Sequence, residues 1–390
     1  MLPRNCKILL LLPEVFSSEG GIPIIGQDLL TAIGKLKADA EPYPVVIAND
    51  RAGRREPQYD GHFKFTYCGS TVGSIRKARF FFSAATAIAT YRPDLVICGH
   101  ANHSPICCTM KSFFKVPYVV LTYGVEVWDI KSRSRRMGLE RAALIAALSR
   151  YTRNRLLEQL DIAEDKVVIK PHSVRASFRP GPKPAHLVEK YSLEGKQVLM
   201  TVARLAKSEG YKGYDRVIEA LAKVSRELPN VRYLLVGSGD DLPRIKGHAE
   251  AQGVVDKVIF AGYVPNRELR DYYNLCDLFV MPSKKEGLGI VFLEALACGK
   301  PVIAGGSDGS RDALLDGKLG ILVDPDSVDQ IAGAVVKVLK GCAPPDLLNP
   351  EYLTRTVQEH FGFDKYCERV EEMVRLGLQR GKTDRLAQPT

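Results

Sequence analysis

The sequence has no CxxC pair and no paired cysteine framework. Its nine cysteines are an odd number, with Cys107 and Cys108 adjacent. That pattern excludes a disulfide scaffold and leads to an expectation of reduced thiols in a cytosolic setting. No apolar stretch approaches the roughly 20 residues that a membrane-spanning helix needs. The run Ile8–Leu12 meets Pro13 directly and is too short for a secretory signal. Low-complexity tracts are lacking, as is any repeat with a period of about 20 to 50 residues. There is also no zinc-finger spacing, no aromatic RNA-binding signature and no basic-region heptad, so nucleic acid is not expected as a partner.

The chain does have an ordinary globular composition with a cationic balance. It has 390 residues, 45% hydrophobic and 26% charged, which is too long for one ordinary core, so two domains are expected. Lys and Arg number 55 against 45 Asp and Glu, a formal net charge of +10. Such an excess suits phosphate groups or an anionic membrane surface.

Short, continuously apolar runs alternate with helical patterns. Lys7–Leu12, Val45–Ala48, Leu95–Cys98, Tyr118–Leu121, Leu144–Ala147 and Val167–Ile169 read as buried strands. A helical pattern spans Ile24–Leu36 after the turn Glu19-Gly20-Gly21. Pro171, Pro180, Pro182 and Pro184 cluster with Gly181 and Lys183, and predict a linker over 171–195. The alternation then restarts with Val198–Val202, Tyr233–Val236, Val258–Phe260, Leu278–Met281, Val302–Ala304 and Ile321–Val323. The pattern predicts two α/β units, each a parallel sheet covered on both faces. Ligands of such sheets bind beyond the carboxyl ends of the strands, so the cleft between the units is the expected site.

Most of the chemistry-bearing residues follow strands of the second half. Glu286 and Glu294, with seven residues between them, flank a stretch that begins Gly287-Leu288-Gly289-Ile290-Val291. The glycines keep Glu286 in a loop, and a helix begins near Ile290, where free backbone N–H groups favour an anion. Carboxylates beside such a site need other partners, and sugar hydroxyls or a ribose diol serve. Arg204 follows Val198–Val202, and Lys212-Gly213 lies beyond a loop over 206–210. An Arg fork and a Lys point charge suit a leaving diphosphate. Gly237-Ser238-Gly239-Asp240 forms a strand-to-helix turn without a third glycine, which is weak by itself.

These motifs resemble those of retaining GT-B glycosyltransferases, specifically family 4. The resemblance is strong from about 198 to 325 and looser before. It implies two Rossmann-like domains: residues 1–175 on the acceptor side, with a tail helix over about 363–380 crossing back, and 190–360 binding the nucleotide sugar. It implies that Arg204, Lys212 and Glu286 are catalytic. Arg204 and Lys212 hold the diphosphate, Glu286 holds the donor sugar and Glu294 binds the ribose. Gly21, Gly237, Val264, Leu269 and the amides of Gly289, Ile290 and Val291 line the donor, Val264 and Leu269 lying in the loop that reads the base edge. No cofactor is implied, since the UDP-sugar is a substrate and two cations stand in for a metal. Asp324-Pro325-Asp326 matches a DxD string, but its place before a helix predicts an N-cap at Asp326 or Ser327.

In the first half, Thr122-Tyr123-Gly124-Val125-Glu126 is similar to the family's Thr-His-Gly-x-Glu segment, with Tyr123 replacing His. A tyrosine titrates near about 10 and is a poor base at neutral pH; it can still hydrogen-bond a sugar hydroxyl. A front-face mechanism, with the leaving phosphate accepting the acceptor's proton, needs no protein base. Tyr123, Glu126 and His100 are acceptor-side candidates, with Asp129 and His103 nearby in sequence. Lys170-Pro171-His172-Ser173 departs from the family pattern. Arg76-Lys77-Ala78-Arg79-Phe80-Phe81-Phe82 and the basic stretch Lys131–Arg136 suit peripheral membrane contact. The resemblance implies a hexose, glucose preferred, moving from a UDP-sugar to a glycan or lipid-linked hydroxyl, with GDP-mannose also open. The setting it implies is polysaccharide or glycolipid assembly in the cytoplasm, at the inner membrane face. A nucleotide-sugar 2-epimerase and a non-catalytic nucleotide-sugar-binding protein are the alternatives.

Overall fold

The computed structural model describes residues 5–17, 20–37, 43–51, 59 and 61–386. These divide into two compact units. One runs to His172 and takes up the chain again from Asp364; the other is Ser173–Phe363.

The first unit holds β1 (Ile8–Leu12), β2 (Val45–Ala48), β3 (Lys64–Tyr67), β4 (Leu95–Cys98), β5 (Tyr118–Thr122), β6 (Leu144–Ala147) and β7 (Val167–Ile169). They form one sheet in the order β3-β2-β1-β4-β5-β6-β7, with every neighbouring pair parallel. All five residues of β1 are buried, as expected of a central strand covered on both faces. β3 was not legible as a strand. It lies at the sheet edge, its residues alternate between exposed and half-buried, and it contains one Lys and one Thr, so it lacks the continuous apolar run that marks the others.

The second unit holds β8 (Gln197–Val202), β9 (Val231–Val236), β10 (Val258–Gly262), β11 (Leu278–Met281), β12 (Val302–Gly305) and β13 (Ile321–Val323). Their order is β10-β9-β8-β11-β12-β13, again all parallel. Leu199, Leu235, Val280 and Ile303 from four strands share one core with Val217, Leu221 and Ile331 from covering helices. In both sheets the strand order reverses once, between β1 and β4 and between β8 and β11. The carboxyl ends of those strand pairs are the switch points where open α/β sheets bind ligands.

Most of the proline-rich stretch 171–195 packs as part of the second unit instead of forming a free linker. Ala185–Lys190 is helical, and Phe178, Leu187 and Leu193 are buried. The Gly181 amide donates to Asn274 Oδ1 at 2.9 Å, and Lys183 pairs with Asp277 at 2.7 Å. Prolines fix the local backbone here, and side chains of the helix over Leu269–Leu275 and the residues after it hold the segment down.

Candidate active site

The switch point of the second sheet gathers the charged residues. Arg204 lies two residues beyond β8, and Lys212 closes a short 3-10 helix over Lys207–Lys212. Glu286 lies five residues beyond β11. Because β8 and β11 are neighbours, Lys212 Nζ reaches Glu286 Oε1 as a hydrogen-bonded ion pair. The two side chains are only 18% and 10% exposed. Burial by itself depresses the Lys212 ammonium, but the Glu286 charge and hydrogen bond outweigh it and hold Lys212 above its ordinary value. Lys212 is therefore a fixed cation. Ser283 Oγ also donates to Glu286 Oε1, at 3.4 Å. Arg204 is 73% exposed and bonded to the buried carboxylate of Glu209, so its guanidinium is held at one edge with most of its surface open.

Backbone contacts fix these loops. Gly213 has φ 82°, and a Cβ there would lie 2.3 Å from the Pro282 carbonyl oxygen. The Lys284 amide donates to the Tyr211 carbonyl at 3.0 Å. Gly237 has φ 140°, and its missing Cβ would lie 1.8 Å from the Ala203 carbonyl oxygen. The Leu205 amide donates to Ser238 O at 2.9 Å, and the Asp241 amide donates to Leu205 O at 2.9 Å. The glycine-containing turn after β9 is therefore the seat of the Arg204 loop, a closer reason for its glycines than any ligand contact.

The helix Ile290–Ala297 starts with Gly289 in the left-handed region, φ 85°, and no side chain caps it. The Gly289, Ile290 and Val291 amides thus stand at an uncapped helix start beside Glu286. Glu294 lies one turn in, 5% exposed, and Tyr273 OH donates to its Oε2 at 2.7 Å. Burial first, then the Glu294 charge, pushes the Tyr273 phenol far up, so it stays a donor. Val264 and Leu269 are both buried, at 6% and 7% exposed. Asp326 is bound by Lys284 and Ser327 caps the following helix, its hydroxyl accepting from the Gln330 amide. Among the described residues no group of three or more His, Cys, Asp or Glu is placed to hold a metal ion.

In the first unit, Gly21 opens the helix Gly21–Leu36 after Gly20, which has φ 138°. Tyr123 OH donates to the Gly99 carbonyl at 2.6 Å, and Glu126 Oε1 accepts from the Tyr123 amide at 2.6 Å. Burial raises the Tyr123 phenol well above its ordinary value, with Glu126 adding to it. The residue in the histidine's place is therefore a neutral strut between β4 and β5. His100 Nδ1 accepts from the Asn102 amide at 3.1 Å, its ring edge-on to Tyr123 at 5.6 Å. Burial lowers the pKa of both His100 and His103, the latter to about 4. Asp129 pairs with Lys131 on the surface.

The basic aromatic segment lies on the helix Gly73–Tyr91. Phe80 is core at 1% exposed, whereas Phe82 is 67% and Ile75 50% exposed. Among the described residues no helix is long and apolar enough to cross a membrane. All nine cysteines are free, and seven are buried.

Three residues of the site were not singled out from sequence: Glu209, Tyr273 and Asp308. Tyr273 and Glu209 carry no local signal, since each gains meaning only from a partner on another element. Asp308 follows β12, the third strand ending on this side of the sheet, and that placement is a signal.

Residues 185–346 match the family described as Glycosyl transferases group 1. A GDP-mannose-dependent alpha-(1-6)-phosphatidylinositol monomannoside mannosyltransferase of Mycolicibacterium smegmatis is 35% identical over 234 residues, 57% of this chain and 60% of that protein. The protein of that name from Mycobacterium tuberculosis H37Rv is 35% identical over 231 residues, 56% of this chain and 59% of that protein. The matched stretch thus spans somewhat less than two thirds of those relatives. Anabaena Alr3699/HepE, solved in complex with UDP and glucose, superposes with a TM-score of 0.76 at 17% identity, over 95% of this chain and 100% of that one. At that identity the likeness concerns the fold, two parallel-sheet Rossmann-like domains. The family match thus lies within the second unit, and the fold likeness extends over both units.

Proposed function

We propose that the chain is a retaining hexosyltransferase of family 4 that takes a nucleoside diphosphate hexose and needs no metal. The observation that carries this reading is the nearly buried Lys212–Glu286 pair beside the open face of Arg204, at the switch point of the second sheet. Lys212 and Arg204 meet the two phosphates, joined by the amides of Gly289, Ile290 and Val291. Glu286, already oriented by Lys212, accepts from hydroxyls of the hexose. Glu294 takes the ribose.

In the reaction the bond from the hexose anomeric carbon to the phosphate oxygen breaks. The acceptor oxygen bonds to the same face of that carbon, and the acceptor proton passes to the departing phosphate oxygen. The cations stabilise the growing diphosphate charge. No protein base is required, which fits a Tyr123 whose hydroxyl is committed to Gly99.

UDP-glucose is the first donor proposed. GDP-mannose is a second reading, favoured by the names of the mycobacterial relatives. The proposed acceptor is a glycan or lipid-linked hydroxyl, in polysaccharide or glycolipid assembly at the cytoplasmic face of a membrane. The exposed Ile75 and Phe82 on a helix bearing Arg76, Lys77 and Arg79 support a peripheral membrane contact.

The test is release of nucleoside diphosphate from UDP-glucose, GDP-mannose and other nucleotide sugars, repeated with Glu286→Ala. Slow release lost on substitution supports the reading, and the preferred donor follows from the panel. Interconversion of donor epimers without an acceptor points to an epimerase, and binding without release to a non-catalytic protein. Release undiminished in Glu286→Ala sinks the site assignment.

A further inference from the structure

Asp308 is a carboxylate that nothing in the proposed reaction uses, yet it is 1% exposed. Burying a carboxylate is costly unless its oxygens are hydrogen-bonded. Here both are spent on main-chain amides: Oδ2 accepts from the Glu286 N–H at 2.6 Å, and Oδ1 from the Ser310 N–H at 2.9 Å. The next residue completes the grip. The Gly309 amide donates to the Glu286 carbonyl at 2.9 Å, and a Cβ on Gly309 would lie 2.2 Å from the Gly287 carbonyl oxygen. One turn after β12 therefore holds Glu286 by both its own N–H and its own C=O. It leaves only the side chain to move, and Lys212 fixes that.

From this geometry we infer that Asp308 is a positioning residue: it sets the main chain of Glu286, and through it the carboxylate that meets the donor hexose. The inference rests on the role of Glu286 proposed above. Asp308 does not touch the donor itself. Its effect is on how well Glu286 is placed when the leaving bond stretches, and small misplacements at that stage are costly. The charged group that faces Asp308 is Glu286, itself paired with Lys212. Burial first, with Glu286 adding, pushes the Asp308 carboxyl up to about 6, against the amide bonds that pull it down. A proton taken up there removes an acceptor from one of the two amides, so the grip weakens as pH falls through that value.

The experiment uses the full chain and Asp308→Asn, which keeps the size and loses one acceptor. Two readouts are needed. The first is the Glu286 backbone amide resonance in protein carrying nitrogen-15 glutamate. In the wild type it lies far downfield and moves as pH crosses about 6, and in Asp308→Asn it shifts upfield and no longer titrates. The second is donor turnover. kcat falls by about 10- to 100-fold with donor KM nearly unchanged, since Arg204, Lys212 and the helix start are intact. The acid fall of kcat seen in the wild type is flattened. Gly309→Ala, which presses on the same peptide from the other side, gives the same kcat loss. An unmoved amide resonance overturns the contact. A shifted resonance with wild-type kcat overturns the positioning role, as does a kcat loss fully accounted for by a smaller folded fraction of the variant. A wild type that releases nucleotide from no donor removes the proposed function instead, with the amide readout still reporting on the contact.

Discussion

Lys212 and Glu286 stand 74 positions apart in the chain and meet as a hydrogen-bonded ion pair that is almost wholly out of solvent. They meet because β8 and β11 are adjacent in the sheet. Lys212→Met leaves the Glu286 carboxylate nearly buried and without its cation. The expected outcome is a loss of about 3–5 kcal/mol in denaturant unfolding. Nucleotide release should slow by about 100- to 1000-fold. Full stability with full turnover would show that the pair carries neither load.

Gly237 bears on Arg204 through the turn that seats its loop. A Cβ there would lie 1.8 Å from the Ala203 carbonyl oxygen, at a φ of 140° that side chains avoid. Gly237→Ala should displace the Arg204 loop, lower stability by more than about 1 kcal/mol and weaken binding of free UDP or GDP. Calorimetric titration with each nucleotide reads the second effect. Undiminished affinity would mean that Arg204 does not depend on this turn.

Tyr123 fills the histidine's place as a strut. Its hydroxyl donates to the Gly99 carbonyl at 2.6 Å. Tyr123→Phe should cost about 1 kcal/mol and leave nucleotide release close to the wild-type rate. A hundredfold loss of turnover with an intact fold would instead place the hydroxyl in the chemistry.

Lys170 offers a pH signature within the first unit. It is buried beside Tyr366, its Nζ donating to the phenol oxygen at 3.1 Å. Burial and then the Arg369 charge lower its pKa from 10.5 to about 7, with Asp28 opposing. Between those values the unfolded chain carries a proton that the folded chain has released. Stability should therefore rise with pH across that window, by at most about 1.4 kcal/mol per pH unit. Unfolding followed from pH 7 to 9 checks this, and Lys170→Met should flatten the slope. A wild-type stability that falls over that range would reverse the sign and refute the account.

Arg204 and Lys212 are proposed to replace a metal at the diphosphate. A chelator should then leave nucleotide release unchanged, and added magnesium or manganese should not raise it. Abolition by chelation, with rescue by one divalent ion, would overturn metal independence.

Among the described residues, continuous apolar runs already marked twelve of the thirteen strands. A parallel strand covered on both faces reads as a near-continuous apolar run. Arg204 and Glu286 were candidates for a related reason: each lies on a loop just beyond a marked strand, where a sheet of this class presents its ligands, and Lys212 closes the 3-10 helix that follows Arg204. Edge strand β3 was not legible, because one face of Lys64–Tyr67 is polar. Sheet order was not local information either. Only the fold sets β8 beside β11, and so pairs Lys212 with Glu286. Only the fold turns the Tyr123 hydroxyl onto Gly99, seats the Arg204 loop on Gly237, and brings Asp308 to the Glu286 amide. Periodicity records whether a residue is buried, which is a property of its own segment. Which segments meet depends on contacts across many residues of chain, and the chemistry of this site is made at those meetings.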